Sequence, residues 1–292
     1  MQKENYIKGM LMIILSAFCF ACMNVCVRLA GDLPSVEKSF FRNLVAVVFA
    51  AIILWKNRIY PRVTKDCTGP LLLRCIFGTV GILCNFYAVD HLLVADASIL
   101  NKLSPFFAII FSFLILREKI RPTQAACVTL AFIGCLFIVK PGFENAAFFP
   151  ALVGVCGGLG AGIAYTMVRV LGKHGVKGPV IVFFFSAFSC ISVLPWIILN
   201  FSPMTWAQLA ALLGAGLFAA GGQFSITAAY TNAPAGKISI FDYSQIIFAT
   251  VLGFLLFGEI PDAWSFLGYG LIILASLGMF LYNMRMQKKQ EA

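Results

Sequence analysis

The sequence contains an internal repeat with an offset of 141 residues. The join falls near the turn sequence Lys140-Pro141-Gly142, which predicts a first repeat at 1–142 and a second at 143–292. If each repeat crosses a membrane an odd number of times, the second copy is inverted relative to the first, an arrangement typical of carriers. The offset aligns Val27-Arg28 with Val168-Arg169, Gly81 with Gly222, Ser98 with Ser239, Phe113-Leu114 with Phe254-Leu255, and Glu118 with Glu259.

The composition requires that lipid rather than water surround most of the chain. Hydrophobic residues make up 61% of the 292 residues and charged residues only 12%, about half the charged fraction of soluble domains. A spanning helix needs ~20 apolar residues, and an open strand edge cannot be satisfied in hydrocarbon. We therefore predict an all-α membrane protein with ten transmembrane helices in two inverted five-helix repeats. The predicted segments are 7–29, 37–56, 70–90, 95–116, 122–139, 147–171, 178–199, 206–229, 235–257 and 262–284.

The net charge of +10 is distributed unequally between the two predicted membrane faces. By the positive-inside rule, the basic face is cytoplasmic, and both termini lie on it. We expect a multi-pass protein of the plasma (cytoplasmic) membrane that binds no nucleic acid. The basic face carries Lys3, Lys8, Lys56, Arg58, Arg62, Lys65, Arg117, Lys119, Arg121, Arg169, Lys173, Lys177, Arg285, Lys288 and Lys289, and the opposite face carries Arg28, Lys38 and Lys140.

Cysteine and glycine patterns do not predict a cofactor. Cys19, Cys22 and Cys26 share one helical face, which fits a soft-metal or redox site less well than a small, polarizable packing stripe. The run 157–162 (GGLGAG) resembles a dinucleotide motif, but it lies in a predicted membrane helix with no preceding strand. Small residues at this spacing favour close helix packing. We predict no metal and no cofactor.

Two helix ends and one helix start resemble a known family. The segments SPFFAIIFSFLILREKIRP (104–122), SQIIFATVLGFLLFGEIPD (244–262) and SVEKSFFRNL (35–44) resemble the EamA-type branch of the drug/metabolite transporter superfamily, and within it carriers of S-adenosylmethionine or other amino-acid metabolites. The resemblance implies a central cavity lined by helices one, three, four, six, eight and nine. It also implies alternating access without ATP, and the chain has no phosphate-binding GxxxxGK[ST] loop.

Asp242 is the most informative polar residue of the predicted membrane helices. A charged side chain in hydrocarbon costs roughly 2.5–3.5 kcal/mol on insertion scales, so it needs a partner or a role. Beside Tyr243 and Gln245, Asp242 is predicted to bind a substrate ammonium or to carry a coupling proton. The alternative is a structural ion pair with Lys237 or Arg169.

Asn101 is the repeat mate of Asp242, and Lys102 follows it. Pro105 cannot donate to the carbonyl of Asn101, so this turn is a predicted site for a substrate carboxylate. From idealised depths, Lys102 and Asp242 are expected ~12 Å apart, too far for a direct ion pair but suited to the two ends of a zwitterion. The alternative for Lys102 is a structural pair with Asp96 or Asp90.

The remaining polar candidates are predicted to act as membrane anchors or gates, to lie at helix starts, or to line the cavity. Arg28 and Arg169 are expected to be interfacial anchors or gate residues, and Arg42 to snorkel or to pair with Glu37 or Asp96. Glu118 and Glu259 are expected near the start of the following helix, where the helix dipole favours a carboxylate. The uncharged cavity candidates are Asn24, Asn85, Tyr87, Tyr165 and Gln223.

A carrier of a small organic metabolite, an amino acid or an amino-acid-derived zwitterion, is the favoured function. A polytopic membrane enzyme is the first alternative, but the chain has no HExxH or GxSxG motif, and its two histidines, His91 and His174, lie in predicted loops. A channel or receptor is the second. The expected partners are a small-molecule substrate and the lipid bilayer, with a monomer or homodimer left open.

Overall fold

The computed structural model describes residues 6–116, 122–139, 147–232 and 239–291, and within these ranges the regular structure is helical. Nine of the described helical segments are long and apolar enough to cross a membrane, and a shorter apolar helix, Phe241–Phe257, accompanies them. The helices are α1 Tyr6–Leu29, α2 Ser35–Lys56, α3 Lys65–His91, α4 Val94–Asn101, α5 Ser104–Leu116, α6 Pro122–Val139, α7 Phe148–Lys173, α8 Gly178–Asn200, α9 Trp206–Asn232, a 3-10 helix Ser239–Tyr243, α10 Ser244–Phe257 and α11 Ala263–Glu291.

The fold is that of ten membrane-spanning segments in two inverted repeats, as predicted. The third segment begins at Lys65, earlier than the predicted residue 70. The fourth and ninth segments are interrupted, whereas a continuous helix was predicted for each. The fourth breaks between α4 and α5, and the ninth changes from a 3-10 helix to α10.

The packing of helices is symmetric under exchange of the two halves. Helix α1 packs on α9, and its mate α7 packs on α3. Helix α5 packs on α7 as α10 packs on α1, while α2 meets α8 and α6 meets α11. Each principal contact therefore has a repeat-related copy, as a pseudo-two-fold axis between the halves requires.

Glycines allow close approach at these crossings, as the sequence predicts. A Cβ on Gly157 would lie 3.1 Å from the backbone nitrogen of Asn85 in α3. A Cβ on Gly158 would lie 2.7 Å from the carbonyl oxygen of Leu100 in α4. Helix α7 therefore presents one row of glycines to α3 and another to the interrupted fourth segment. At the crossing of α6 and α11, the Cβ positions of Gly134 and Gly268 lie 2.9 and 2.7 Å from each other's carbonyl oxygens.

Candidate functional site

The breaks of the fourth and ninth segments meet at the interface between the two halves. Lys102, just after α4, forms an ion pair with Asp242 of the 3-10 helix, with 2.5 Å between Nζ and Oδ2. The hydroxyl of Tyr243 donates a hydrogen bond to the carbonyl oxygen of Lys102 at 3.2 Å. Residues 140 positions apart in the chain are thus joined by both a side chain and a backbone group.

The expectation that Lys102 and Asp242 lie too far apart to pair is wrong. The expected distance assumed continuous helices, whereas Lys102 follows the end of α4 and Asp242 lies in the 3-10 helix before α10. The alternative acids have other partners: Asp90 pairs with Lys38 at 2.5 Å, and Asp96 accepts a hydrogen bond from the hydroxyl of Tyr269 at 2.6 Å.

The ion pair leaves acceptor capacity unused. Oδ1 of Asp242 is buried and has no hydrogen-bond partner among the described residues, and the same is true of Oγ of Ser244. Buried polar atoms are nearly always hydrogen-bonded in native proteins. In this part of the chain, both atoms are therefore left with hydrogen-bonding capacity that no described residue uses.

Among the uncharged candidates, Asn24 of α1 contacts the interrupted fourth segment. Its Nδ2 donates to Oγ of Ser98 at 3.0 Å, while its Oδ1 is buried without a partner in the described part of the chain. Gln245 is buried beside the second break, and Asn101, partly exposed, ends α4 at the first break. Gln223, partly buried in α9, has interactions with other residues.

Asn85 and Tyr87 lie where α3 packs on α7. Asn85 is buried at the close approach to Gly157. The ring of Tyr87 stacks on His91, with 4.1 Å between centroids, and meets Phe149 edge-on at 6.1 Å. These contacts place the Tyr87 ring at the end of α3, in a packing role.

Arg28 and Glu259 form a second contact between the halves. Their ion pair joins Nη2 to Oε1 at 2.9 Å. Oε2 of Glu259 accepts the backbone N–H of Val94 at 2.7 Å. Glu259 therefore caps the N-terminus of α4, which belongs to the other repeat. The sequence predicted that it would lie at the start of the helix that follows Glu259 in the chain. The favourable interaction of a carboxylate with a helix dipole thus applies to α4 instead. Of the repeat mates, Glu118 and the side chain of Arg169 lie outside what the structure describes, as does Lys237.

Arg42 does not have the predicted acidic partner. Its buried guanidinium donates to Oδ1 of Asn43 at 2.6 Å. Oε1 of Glu37 accepts the backbone N–H of Ser202 at 2.7 Å instead, and Asp96 binds Tyr269 as described above. Arg42 interacts electrostatically with Arg74, a like charge.

Sequence reasoning missed Arg74 as a site residue. Its guanidinium carbon lies 3.9 Å from the centroid of the Phe185 ring. Arg74, Asp242 and Arg42 all act electrostatically on the hydroxyl of Tyr165. The sequence did contain a signal for this residue, because Arg74 interrupts the apolar stretch of the third segment. However, the predicted start at residue 70 placed Arg74 near a helix end, whereas α3 begins five residues earlier.

Comparison with known proteins identifies the family. The family model described as EamA-like transporter family matches residues 7–140 and 152–281. The chain is 31% identical over 274 residues to the pseudopaline exporter of Pseudomonas aeruginosa (strain UCBPP-PA14), covering 93% of this chain and 95% of that protein.

More distant relatives agree with this match. The riboflavin transporter of Brucella anthropi is 26% identical over 88% of this chain and 93% of its own length. Human solute carrier family 35 member G1 is 27% identical over 92% of this chain and 77% of its own length. A crystal structure of a protein with 16% identity superposes with a TM-score of 0.66 over 97% of this chain and 99% of that one, which supports the fold alone. The chain is a multi-pass membrane transporter of small metabolites and not an enzyme, and it belongs to the EamA-like transporter family.

Proposed function

We propose that this transporter is a secondary carrier of an amino acid or amino-acid-derived compound and that it works by alternating access. The substrate binds between the two breaks, where its ammonium group replaces Lys102 as the partner of Asp242 and its carboxylate binds Lys102. The protein lies in the plasma (cytoplasmic) membrane with both termini in the cytoplasm. The relatives named above are described as transporting different solutes, so the substrate class is inferred from this chain's own residues.

The Lys102–Asp242 ion pair is the observation that carries this proposal. It spans the two inverted halves, so any rocking of one half against the other changes its geometry. Removing one partner from a buried ion pair costs about 3–5 kcal/mol because a charge is left uncompensated. A zwitterion offers one charge to each partner, so the pair can separate without stranding either charge in the membrane interior.

Asp242 is also the proposed proton carrier. Protonation would neutralise it and release Lys102, and Oδ1, which has no partner among the described residues, is a position for the proton. In the same part of the chain, the charged and titratable groups that act on Asp242 are Lys102, Tyr243 and Tyr165. Proton binding and substrate binding then compete for the same carboxylate, which couples the two fluxes.

Counterflow into proteoliposomes tests the proposal. Labelled L-methionine and S-adenosylmethionine serve as probes, with and without an imposed pH gradient. We expect saturable exchange by the native protein and a rate that responds to the gradient. Asp242→Asn is expected to lose the response to pH, and full pH-driven transport by this variant would eliminate the proton role. Asp90→Asn, in the other Lys–Asp pair of the same length, is the matched control and should keep the response in the folded fraction.

A further inference from the structure

We propose that Arg42, Arg74 and Tyr165 form an anion site that binds a second carboxylate of the transported compound. The preferred substrate is then an amino-acid-derived compound with net negative charge, which binds more tightly than a neutral zwitterion. The inference rests on the proposed function for its amino-acid part, whereas the anion site rests on the two arginines, which both lie against the Phe185–Ser189 turn of α8.

Within the described part of the chain, the two arginines differ from the ion-paired cations in having no carboxylate partner. Among the described residues, Arg28, Lys38 and Lys102 each have a carboxylate within 2.9 Å. Neither Arg42 nor Arg74 has one, and the Nε atom of each is buried with no hydrogen-bond partner in the same residues. Two like charges that act on one another in the membrane interior are unfavourable unless an anion binds them.

The surroundings hold both guanidinium groups in place. Arg42 is fixed by Asn43, whose Nδ2 donates to Oγ of Ser189 in α8 at 2.8 Å. Arg74 lies over the Phe185 ring, also in α8. Such preorganised planar donors suit bidentate binding of a carboxylate.

Gly78 provides the space for Arg74. A Cβ at Gly78 would collide with Nη1 of Arg74 and would lie 2.8 Å from Cε2 of Phe185. The lack of a side chain at this position is therefore needed for Arg74 to lie between α3 and α8.

Tyr165 connects this cluster with the substrate site. Arg74, Asp242 and Arg42 all act electrostatically on its hydroxyl, and 49% of its surface is accessible. In the proposed site, this accessible surface faces an internal space among these charged groups. The charged groups named around that space are Arg42, Arg74, Lys102 and Asp242, which leaves two positive charges unmatched. A bound compound with more carboxylates than amino groups reduces that excess.

The test compares four probes that separate the two carboxylates from the amino group. L-Glutamate has both features, glutarate lacks the amino group, L-glutamine lacks the second carboxylate, and glutaramide is uncharged. The melting temperature of the purified full-length protein is measured against each probe at fixed ionic strength in chloride. We expect saturable stabilisation by L-glutamate that exceeds that of L-glutamine at least tenfold in apparent affinity.

Each outcome has a defined meaning. L-Glutamine binding as tightly as L-glutamate would overturn the anion site while leaving the proposed function standing. Glutarate binding as tightly as L-glutamate would contradict the amino-acid part of the proposed function while leaving the anion site. The absence of saturable stabilisation by either dicarboxylate, or equal stabilisation by added chloride, would also overturn the site.

Single substitutions test whether Arg42 and Arg74 are the residues that bind L-glutamate. Arg42→Gln and Arg74→Gln are expected to lose at least tenfold in apparent affinity for L-glutamate, and Gly78→Ala to weaken it by displacing Arg74. The matched control is Arg28→Gln, which removes an arginine with its own carboxylate partner and should retain L-glutamate binding. Without probe, Arg42→Gln should melt at or above the native temperature because it relieves charge repulsion. A lower melting temperature combined with unchanged L-glutamate affinity would instead show a purely structural arginine and sink the proposal.

Discussion

Two lysine–aspartate ion pairs of equal length occupy different positions in this transporter. Lys38 and Asp90 join α2 to α3 within one half, and Lys38 also donates to the carbonyl of Gly31 at 2.7 Å. Lys102 and Asp242 join the two halves at the helix breaks, and one carboxylate oxygen has no hydrogen-bond partner among the described residues. Under the proposed function, the same chemistry serves a fixed connection in one place and an exchangeable one in the other. Position relative to the halves, and the number of unused acceptors, distinguish the two roles.

Loss of the carboxylate at Asp90 should have the largest effect, and the effect should be on stability. Asp90→Asn leaves the Lys38 ammonium, which is fully buried, without a counter-charge, at an expected cost of about 3–5 kcal/mol in the free energy of unfolding. Asp242→Asn should cost less, because both side chains of its pair retain some exposure. Titration with a denaturing detergent, followed by tryptophan fluorescence, gives both values. Equal losses would remove the distinction between the pairs.

For the transport rate, loss of the Lys102–Asp242 pair should have a larger effect than loss of the Lys38–Asp90 pair. Lys102→Gln/Asp242→Asn is expected to reduce counterflow by about 100-fold, equivalent to ~2.7 kcal/mol in the barrier. Lys38→Gln/Asp90→Asn should stay within about threefold of the native rate per folded protein, since its residues do not lie at the breaks. Initial rates in proteoliposomes, normalised to monodisperse protein, make the comparison. A similar loss in both double variants would argue against a special role for the pair between the halves.

The Arg28–Glu259 pair, which also joins the halves, should show the smallest effect. Glu259→Gln keeps a side-chain oxygen for the N–H of Val94 but removes the charge from a partly exposed ion pair, at an expected cost of about 0.5–1 kcal/mol. Thermal unfolding of the two proteins in parallel measures this difference. A loss as large as that of Asp90→Asn would show that crossing between the halves, rather than burial, determines the energy of these pairs.

Much of the fold could be predicted from sequence because lipid simplifies the problem. Apolar length and the repeat at 141 residues indicated ten segments, and the predicted bounds 122–139 agree with α6 as observed. Pro105 indicated a disturbance near Asn101, and the fourth segment does break there. The ninth segment has no proline at the matching position, Ile246, so its 3-10 turn had no comparable local signal.

The two charged residues at the helix breaks could be singled out from the sequence, but their pairing could not. Asp242 and Lys102 stood out because ionisable groups are rare in membrane helices, but their contact depends on how the two interrupted segments meet. Arg74 was missed because the third segment was predicted to begin at residue 70, which placed Arg74 near the helix end. Helix α3 begins five residues earlier, so Arg74 lies inside the helix. The helix capped by Glu259 could not be predicted from the local sequence, because that helix, α4, belongs to the other repeat.

The crossing of α6 and α11 constrains how the molecule can move. Gly134 and Gly268 bring the two backbones so close that neither position has room for a methyl group. Two helices in such close contact can change their crossing angle while their backbones stay together. A small change in the angle between α6 and α11 would therefore produce a larger displacement at the distant ends of each half.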